Sequence, residues 1–306
     1  MSMLTKEQIS EGFQQLQDKI CIALENEDGK GKFVEDNWKR EEGGGGRTRI
    51  IQNGNVLEKG GVLYSAVHGI IPDFLKHESA PAANAPVSET TFYATGVSIV
   101  IHPANPMVPI IHMNVRYFEM SNGVWWFGGG IDLTPHYVNE EDARFFHEAL
   151  KKTCDQFDGS LYQKYKTWAD DYFYITHRNE TRGVGGIFFD RLNESSGYTM
   201  EQLFDFVISV GNTFAPTYTA LMNRNKAKTF TDENKQWQLM RRGRYVEFNL
   251  IYDKGTKFGL ESNGRVESIL MSLPKVAGWE YNFSPQSGSQ EEKTINFLKK
   301  GISWVN

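Results

Sequence analysis

The sequence predicts a single α+β domain built around one large antiparallel β-sheet. Segments typical of strands, joined by short turn-containing connections, occupy much of the chain from about residue 90. Segments with helical periodicity precede and follow them. No linker, repeat or low-complexity tract divides the 306 residues, of which 40% are hydrophobic, so we expect residues 1–306 to form one unit with a substantial core.

The first predicted element is an amphipathic helix over residues 5–26, and residues 1–40 comprise this helix and its lead-in. Thr5 and Gln8 have the spacing of a capping box, and apolar residues recur every three or four positions after them. Asn139 is the expected N-cap of the second helix, and Pro216 is expected to kink or break the longest one. The other helical segments are EEDARFFHEALKKTCDQF, SLYQKYKTWADDYFYITH, TMEQLFDFVISVGNTFAPTYTALMNRN, DENKQWQLMRR and a stretch from about Gln290.

Two groups of segments are predicted to be strands. The first consists of TFYATGVSIVIHP, PIIHMNVRYFEM, VWWFGGGIDL and the short apolar GGIFFD. The second consists of RYVEFNLIYD, KFGLE and RVESILMSL. In RYVEFNLIYD the alternation would place Tyr245, Glu247 and Asn249 on one face.

A run of four glycines, Gly43–Gly46, precedes the alternating segment RTRIIQNGNV. A phosphate-binding loop is disfavoured because no Lys-Ser/Thr follows and no helical pattern begins there. A mobile flap is the preferred interpretation, and the run is a candidate for part of an active-site lid.

Composition excludes several classes of protein. A net charge of −5 argues against a broad nucleic-acid surface, and two cysteines are too few for a disulfide framework. The first twenty residues lack the apolar core of a signal peptide and carry acidic residues that transit peptides avoid. No run approaches the ~18 apolar residues of a membrane span. We therefore expect a cytoplasmic protein that binds neither nucleic acid nor membrane.

The segment PIIHMNVRYF carries the first indication of a functional site. Residues two apart on a strand share a face, so His112, Asn114 and Arg116 point one way and their apolar neighbours point the other. On the preceding strand, Ser98 and His102 likewise share a face. A solvated face of the sheet is one interpretation. Because aromatic residues also lie nearby in the sequence, a ligand pocket with a few placed polar groups is the other.

The segment WWFGGGIDLTP would contribute space for a ligand and a carboxylate to the predicted site. Three glycines, Gly128–Gly130, remove side-chain bulk where a large ligand would approach the backbone, and Asp132 follows them. Asp132 could brace the turn before Pro135 or accept hydrogen bonds from N–H groups of a ligand. Arg116 and Arg265 could each bind a carboxylate through two hydrogen bonds.

Two further interpretations receive less support from the sequence. His102, His112, His147 and His177 could bind a metal, but they show no tight ligand spacing, so no metal site is expected. RGRYVEF resembles part of an RNA-recognition strand, but it is one residue short of that pattern.

Longer motifs make the chain resemble the oxygen-dependent coproporphyrinogen III oxidases, over roughly residues 40–285. The motifs are GVSIVIHPANP, IHMNVRYFE, WWFGGGIDLTP, DDYFYITHRNETRGVGGIFFD, QLMRRGRYVEFNLIYDKGTKFGL and ESILMSLP. The resemblance implies subunits with a large flat antiparallel sheet flanked by helices on both sides. It also implies a homodimer, with dimer-forming strands in about residues 245–280.

The resemblance also implies an activity in haem biosynthesis. Two propionates of coproporphyrinogen III, on rings A and B, would become vinyl groups, giving protoporphyrinogen IX, CO2 and hydrogen peroxide. O2 would be the co-substrate, and no organic cofactor would be required. The alternatives are a non-catalytic tetrapyrrole carrier and a metal-dependent oxygenase.

Site residues follow from the resemblance position by position. The substrate serine corresponds to Ser98 and the general acid/base histidine to His112. Other substrate contacts correspond to residues 114–116 and 263–265, with Asp132 and Arg116 as further catalytic candidates. In full, these contacts are Asn114, Val115, Arg116, Asn263, Gly264 and Arg265. Some bacterial members are described with a divalent metal at the histidines that match His102, His112, His147 and His177.

Overall fold

A computed structural model describes residues 4–71, 90–261 and 264–305, which contain nine strands and eight α-helices. The strands are β1 (Val34–Lys39), β2 (Gly44–Gln52), β3 (Leu57–Ile70), β4 (Thr91–Pro103), β5 (Ile110–Met120), β6 (Trp125–Thr134), β7 (Tyr174–Ile175), β8 (Glu180–Thr181) and β9 (Gly185–Leu192). The helices are α1 (Lys6–Asp28), α2 (Glu140–Asp155), α3 (Leu161–Tyr172), α4 (Met200–Asn225), α5 (Asp232–Ile251), α6 (Lys254–Glu261), α7 (Val266–Leu270) and α8 (Gln290–Phe297).

Seven strands form one antiparallel sheet in the order β1-β2-β3-β4-β5-β6-β9. The first six follow one another in chain order, so each pairs with its predecessor in the sequence. Strand β9 joins at β6 after α2 and α3 have intervened. The predicted α+β class with a large antiparallel sheet is confirmed.

Helices cover both faces of this sheet. Ile111, Met113 and Val115 of β5 lie on one face, fully buried in the main core with side chains of α1 and α4. On the other face, Tyr245 of α5 and Met271 after α7 pack against Val100 and Ile110. The residue alternation that the sequence predicts for β5 is therefore the alternation observed.

Most predicted helix ends are confirmed at their caps. Thr5 and Gln8 form the capping box of α1, and Asn139 accepts a hydrogen bond from the Asp142 N–H at the start of α2. The C-terminal helix begins at Gln290, as predicted. Helix α4 runs unbroken through Pro216, where a kink or break was expected.

The second predicted group of strands is wrong, because its described residues lie mainly in the second half of α5 and in helices α6 and α7. Gly243 explains part of the error. It lies inside α5, where a Cβ would be 2.4 Å from the Gly278 carbonyl oxygen, so the glycine permits a close approach and does not end the helix. Trp237, Arg241 and Tyr245 are all buried at four-residue spacing, which is the period of a helix.

The predicted flap at Gly43–Gly46 is also wrong. Gly44, Gly45 and Gly46 belong to β2 and pair with Val67, Ala66 and Ser65 of β3. A Cβ at Gly46 would lie 2.4 Å from the Trp38 ring, so this strand position lacks room for a side chain. Three of the four glycines therefore form part of the sheet.

Candidate active site

One face of strands β4, β5 and β6 carries polar side chains predicted from the sequence. In the register of the sheet, Ser98 lies beside Asn114, and His112 lies beside Asp132. Asn114 and Arg116 lie beside Gly130 and Gly128, where a Cβ would lie 3.2 Å from Phe188 Cδ2 and 2.5 Å from Asp190 Oδ1, so side chains of β9 occupy the space that the glycines leave. Ser98, His112, Asn114 and Arg116 are all partly exposed, so they remain accessible to a ligand.

His112, Asp132 and a third residue, Arg182, form a continuous chain of hydrogen bonds. His112 Nδ1 lies 2.8 Å from Asp132 Oδ1. Arg182 donates to the same carboxylate from Nη2 to Oδ1 at 2.6 Å and from Nε to Oδ2 at 3.2 Å. The Asp132 and Arg182 side chains are 1% and 2% exposed, whereas that of His112 is 20% exposed. Of the three groups, only the imidazole reaches the open site.

The charge on Asp132 is set by its two partners. Burial alone would raise the pKa of Asp132, but the Arg182 guanidinium and the His112 N–H hold that pKa below its usual value. An ionised carboxylate can only accept hydrogen bonds, so His112 Nδ1 is the donor. In the neutral imidazole, Nε2 is then the basic nitrogen.

Arg182 is fixed by packing as well as by charge. Its guanidinium carbon lies 4.5 Å, 4.7 Å and 4.6 Å from the ring centroids of Phe173, Tyr245 and Phe248, respectively. Its Nη1 donates to Asn249 Oδ1 at 2.8 Å. Helix α5 therefore supplies three of the groups around Arg182, on the sheet face that carries the site.

The backbone on either side of Arg182 is held by the C-terminal segment. The Thr181 N–H donates to the Leu298 carbonyl at 3.0 Å, and Trp304 Nε1 donates to the Val184 carbonyl at 3.1 Å. Arg182 itself donates its N–H to the Phe173 carbonyl at 2.8 Å. These bonds fix the turn from which the side chain reaches Asp132.

A second polar group lies beside the first. Arg116 donates from Nη1 to Asn114 Oδ1 and from Nη2 to Asp190 Oδ1, both at 2.8 Å. Arg116 on β5 and Asp190 on β9 meet across β6 at Gly128, where a Cβ would lie 2.5 Å from Asp190 Oδ1. The Arg116 side chain is 35% exposed, and two of its five N–H donors are occupied by these bonds. The remaining donors can bind an anion.

Comparison with known proteins identifies the family. The sequence model described as coproporphyrinogen III oxidase matches residues 8–304. The chain is similar to coproporphyrinogen-III oxidase 1, chloroplastic, of Arabidopsis thaliana, with 46% identity over 298 residues, 94% of this chain and 76% of that protein. It is similar to the oxygen-dependent coproporphyrinogen-III oxidase, chloroplastic, of Nicotiana tabacum, with 46% identity over 299 residues, 94% of this chain and 75% of that protein.

The chain belongs to the coproporphyrinogen III oxidase family. This confirms the resemblance described from the motifs, and it makes the chain a member of an enzyme family. In the part of the chain that the structure describes, no helix is long and apolar enough to cross a membrane.

The structure brings together only some of the oxidase residues proposed from the sequence. Ser98, His112, Asn114, Arg116 and Asp132 share one region of the sheet. Strand alternation places the Val115 side chain fully buried on the opposite face, in the main core. A substrate contact of Val115 stays a prediction and would have to come from its backbone.

The predicted contacts around Arg265 lie elsewhere. Arg265 forms an ion pair with Asp36 on β1, and the Gly264 N–H donates to the Gly259 carbonyl at 2.8 Å. Strand β1 is four positions from β5 in the sheet, which corresponds to about 19 Å. Asn263 lies outside the described residues. A direct contact of Arg265 with substrate stays a prediction, since only a ligand spanning several strands could reach both Arg116 and Arg265.

The four histidines considered as metal ligands do not form one site. Among the described residues, no three His, Cys, Asp or Glu side chains are grouped so that they could hold a metal ion. Each histidine has its own partners: Ser272 O for His102, Asp132 for His112, Tyr162 and Val184 O for His147, and Tyr252 and Glu247 for His177. These four histidines therefore do not share a metal site in the part of the chain that the structure describes.

Two of these histidines should make the folded protein sensitive to acid. His102 and His147 are fully buried, and burial lowers the pKa of each to about 3. In the unfolded chain each would take up a proton near pH 6.5. Between pH ~6.5 and 3 the unfolded state then binds more protons, so we expect the free energy of unfolding to fall by up to about 1.4 kcal/mol per histidine per pH unit.

Denaturant unfolding at pH 7.0, 6.0 and 5.0 would measure this loss. A free energy of unfolding that stays constant from pH 6.5 to 5 would contradict the assignment of neutral buried imidazoles.

Proposed function

We propose that this chain catalyses the oxygen-dependent oxidative decarboxylation of coproporphyrinogen III to protoporphyrinogen IX, converting the ring A and B propionates to vinyl groups. The observation that carries the proposal is a basic imidazole and a partly free guanidinium side by side over a strand of glycines. The guanidinium suits a propionate, the imidazole suits proton transfer, and Gly128 gives Arg116 and Asp190 room to meet. The names of the two relatives support the same reaction.

The chemistry balances for each propionate with O2 as the oxidant. The carboxylate leaves as CO2, a C–H bond at the β-carbon breaks, and the new C=C bond forms. Two electrons pass to O2, which takes up two protons and becomes hydrogen peroxide. One of these protons comes from the β-carbon and the other from solvent. No organic cofactor is required in this scheme, and that part is also a proposal.

In this proposal His112 transfers the proton and Arg116 holds a propionate. Asp132 and Arg182 fix the imidazole with Nε2 toward the substrate, so the base needs no reorientation during the reaction. The sequence suggested that Asp132 accepts pyrrole N–H groups. The Asp132 side chain is 1% exposed, and both of its oxygens already accept hydrogen bonds. A role in holding His112 therefore fits the geometry better.

A homodimer is part of the proposal. Exposed apolar side chains are concentrated in residues 250–281, within and just beyond the region proposed for dimerisation from the sequence. They are Leu250, Ile251, Phe258, Leu260, Val266, Val276, Trp279 and Tyr281. Burial of such a patch in a dimer would remove apolar surface from water. We also propose a cytoplasmic location, although the two relatives are named as chloroplastic.

The activity can be tested with the purified chain in two stages. We expect no reaction with coproporphyrinogen III under anaerobic conditions, and CO2 and a divinyl product after admission of air. A tetrapyrrole carrier would bind the compound without forming CO2. Turnover that survives excess chelator would argue against a metal-dependent oxygenase, whereas loss of turnover that added metal restores would overturn the proposed metal-independent reaction.

A further inference from the structure

We propose that Asp190 is a positioning residue for Arg116, holding its guanidinium in the orientation that binds a substrate carboxylate. The inference rests on the proposed function, because it concerns the same anion-binding group. It adds a residue of β9 to the groups that β4, β5 and β6 and the Arg182 turn supply. The evidence is the contact of Arg116 with Asp190 across Gly128.

The guanidinium of Arg116 is held at two of its three nitrogens. Asn114 accepts from Nη1 and Asp190 accepts from Nη2, both at 2.8 Å. A planar guanidinium held at two points keeps one plane, so its free N–H groups point in a fixed direction. Without Asp190, the long side chain would regain rotamer freedom and would lose part of it again on binding a ligand.

Three features favour a functional role over an ordinary surface ion pair. Asp190 lies on the same sheet face as Arg116, beside the glycine strand and not at the outer surface of a helix. Gly128 leaves room for this contact, since a Cβ there would lie 2.5 Å from Asp190 Oδ1 and 2.8 Å from Arg116 Nη2. Both side chains remain partly exposed, at 29% and 35%, so the pair borders open space where a ligand can reach it.

Asp190 also lowers the positive charge that Arg116 presents to an anion. Substitution by Asn or by Ala removes this negative charge equally, but only Asn keeps an oxygen that can accept from Nη2. The difference in ligand affinity between Asp190→Asn and Asp190→Ala therefore measures the effect of guanidinium orientation alone. A hydrogen bond to a charged group has an effect of roughly tenfold or more on an equilibrium constant.

The test is binding of coproporphyrin III, the stable oxidised analogue with the same four propionates, measured by fluorescence titration. We expect the Kd of Asp190→Ala to exceed that of Asp190→Asn by at least about tenfold. In an Arg116→Ala background the two substitutions should give equal Kd values, because no guanidinium remains to be oriented. Asp205→Ala, at an exposed position of α4, is the matched control and should bind as the unsubstituted chain does.

The outcomes separate this inference from the proposed function. Equal Kd values for Asp190→Asn and Asp190→Ala in the chain that keeps Arg116 would overturn the positioning role. A difference that persists in the Arg116→Ala background would overturn it as well, because Asp190 would then act on the fold and not through Arg116. If the unsubstituted chain neither binds coproporphyrin III nor produces CO2, the proposed function itself fails.

Discussion

Arg182→Ala is expected to lower the free energy of unfolding by about 3–5 kcal/mol and to abolish most of the activity. The substitution leaves the Asp132 carboxylate buried, at 1% exposure, without a cation. It also removes the guanidinium from its packing among three aromatic rings. Denaturant unfolding at pH 7 would measure the loss of stability.

A second substitution tests the cause of that loss. If an orphaned charge is responsible, Asp132→Asn in the Arg182→Ala background should recover part of the stability, because the buried charge is then absent. Arg178→Ala is the matched control: its side chain is 38% exposed in an ion pair with Glu247, and we expect a loss of at most about 1 kcal/mol. A loss below about 1 kcal/mol for Arg182→Ala would show that Asp132 does not depend on this ion pair.

His112→Ala is expected to lower kcat by about 10²–10⁴-fold, the usual range for removal of a general acid or base. The imidazole is the one member of the His112–Asp132–Arg182 chain that reaches the open site, at 20% exposure. Stability should change less than for Arg182→Ala, since the larger buried charge pair remains. Stopped assays of CO2 release under saturating substrate would give kcat directly.

Two comparisons make the His112 result specific. His68→Ala, at an exposed position of β3, should leave kcat unchanged. Coproporphyrin III binding by His112→Ala should stay within a few-fold of the unsubstituted chain, so that the defect lies in turnover. A variant that kept a tenth or more of the original kcat would mean that another group, or the substrate itself, removes the proton.

The polar face of β5 could be predicted because strand alternation depends on local geometry alone. His112, Asn114 and Arg116 share a face for that reason, and the observed burial of Ile111, Met113 and Val115 follows from the same rule. Asp190 could have been found in the same way, because it ends the predicted strand GGIFFD two residues after Phe188.

Arg182 could not be recognised by this reasoning. Arginine is mostly exposed in proteins, and the segment TRGVGG gives no periodic pattern that would predict a buried one. The burial of Asp132, which only the folded structure shows, explains why a cation lies beside it. The second half of α5 was wrongly predicted as a strand for a related reason: the role of Gly243 inside the helix depends on its contact with Gly278, which is distant in the sequence.

The order of strands in the sheet has a consequence for how the chain assembles during synthesis. Strands β1 to β6 pair with their neighbours in sequence, so they can form hairpin by hairpin as the chain emerges. His112 and Asp132 meet at that stage, but Arg182 comes 50 residues after Asp132. A sheet that closes before residue 182 arrives would bury a carboxylate without its cation. We therefore expect the end of the sheet that carries the site to become ordered last, when β9 and the Arg182 turn join β6.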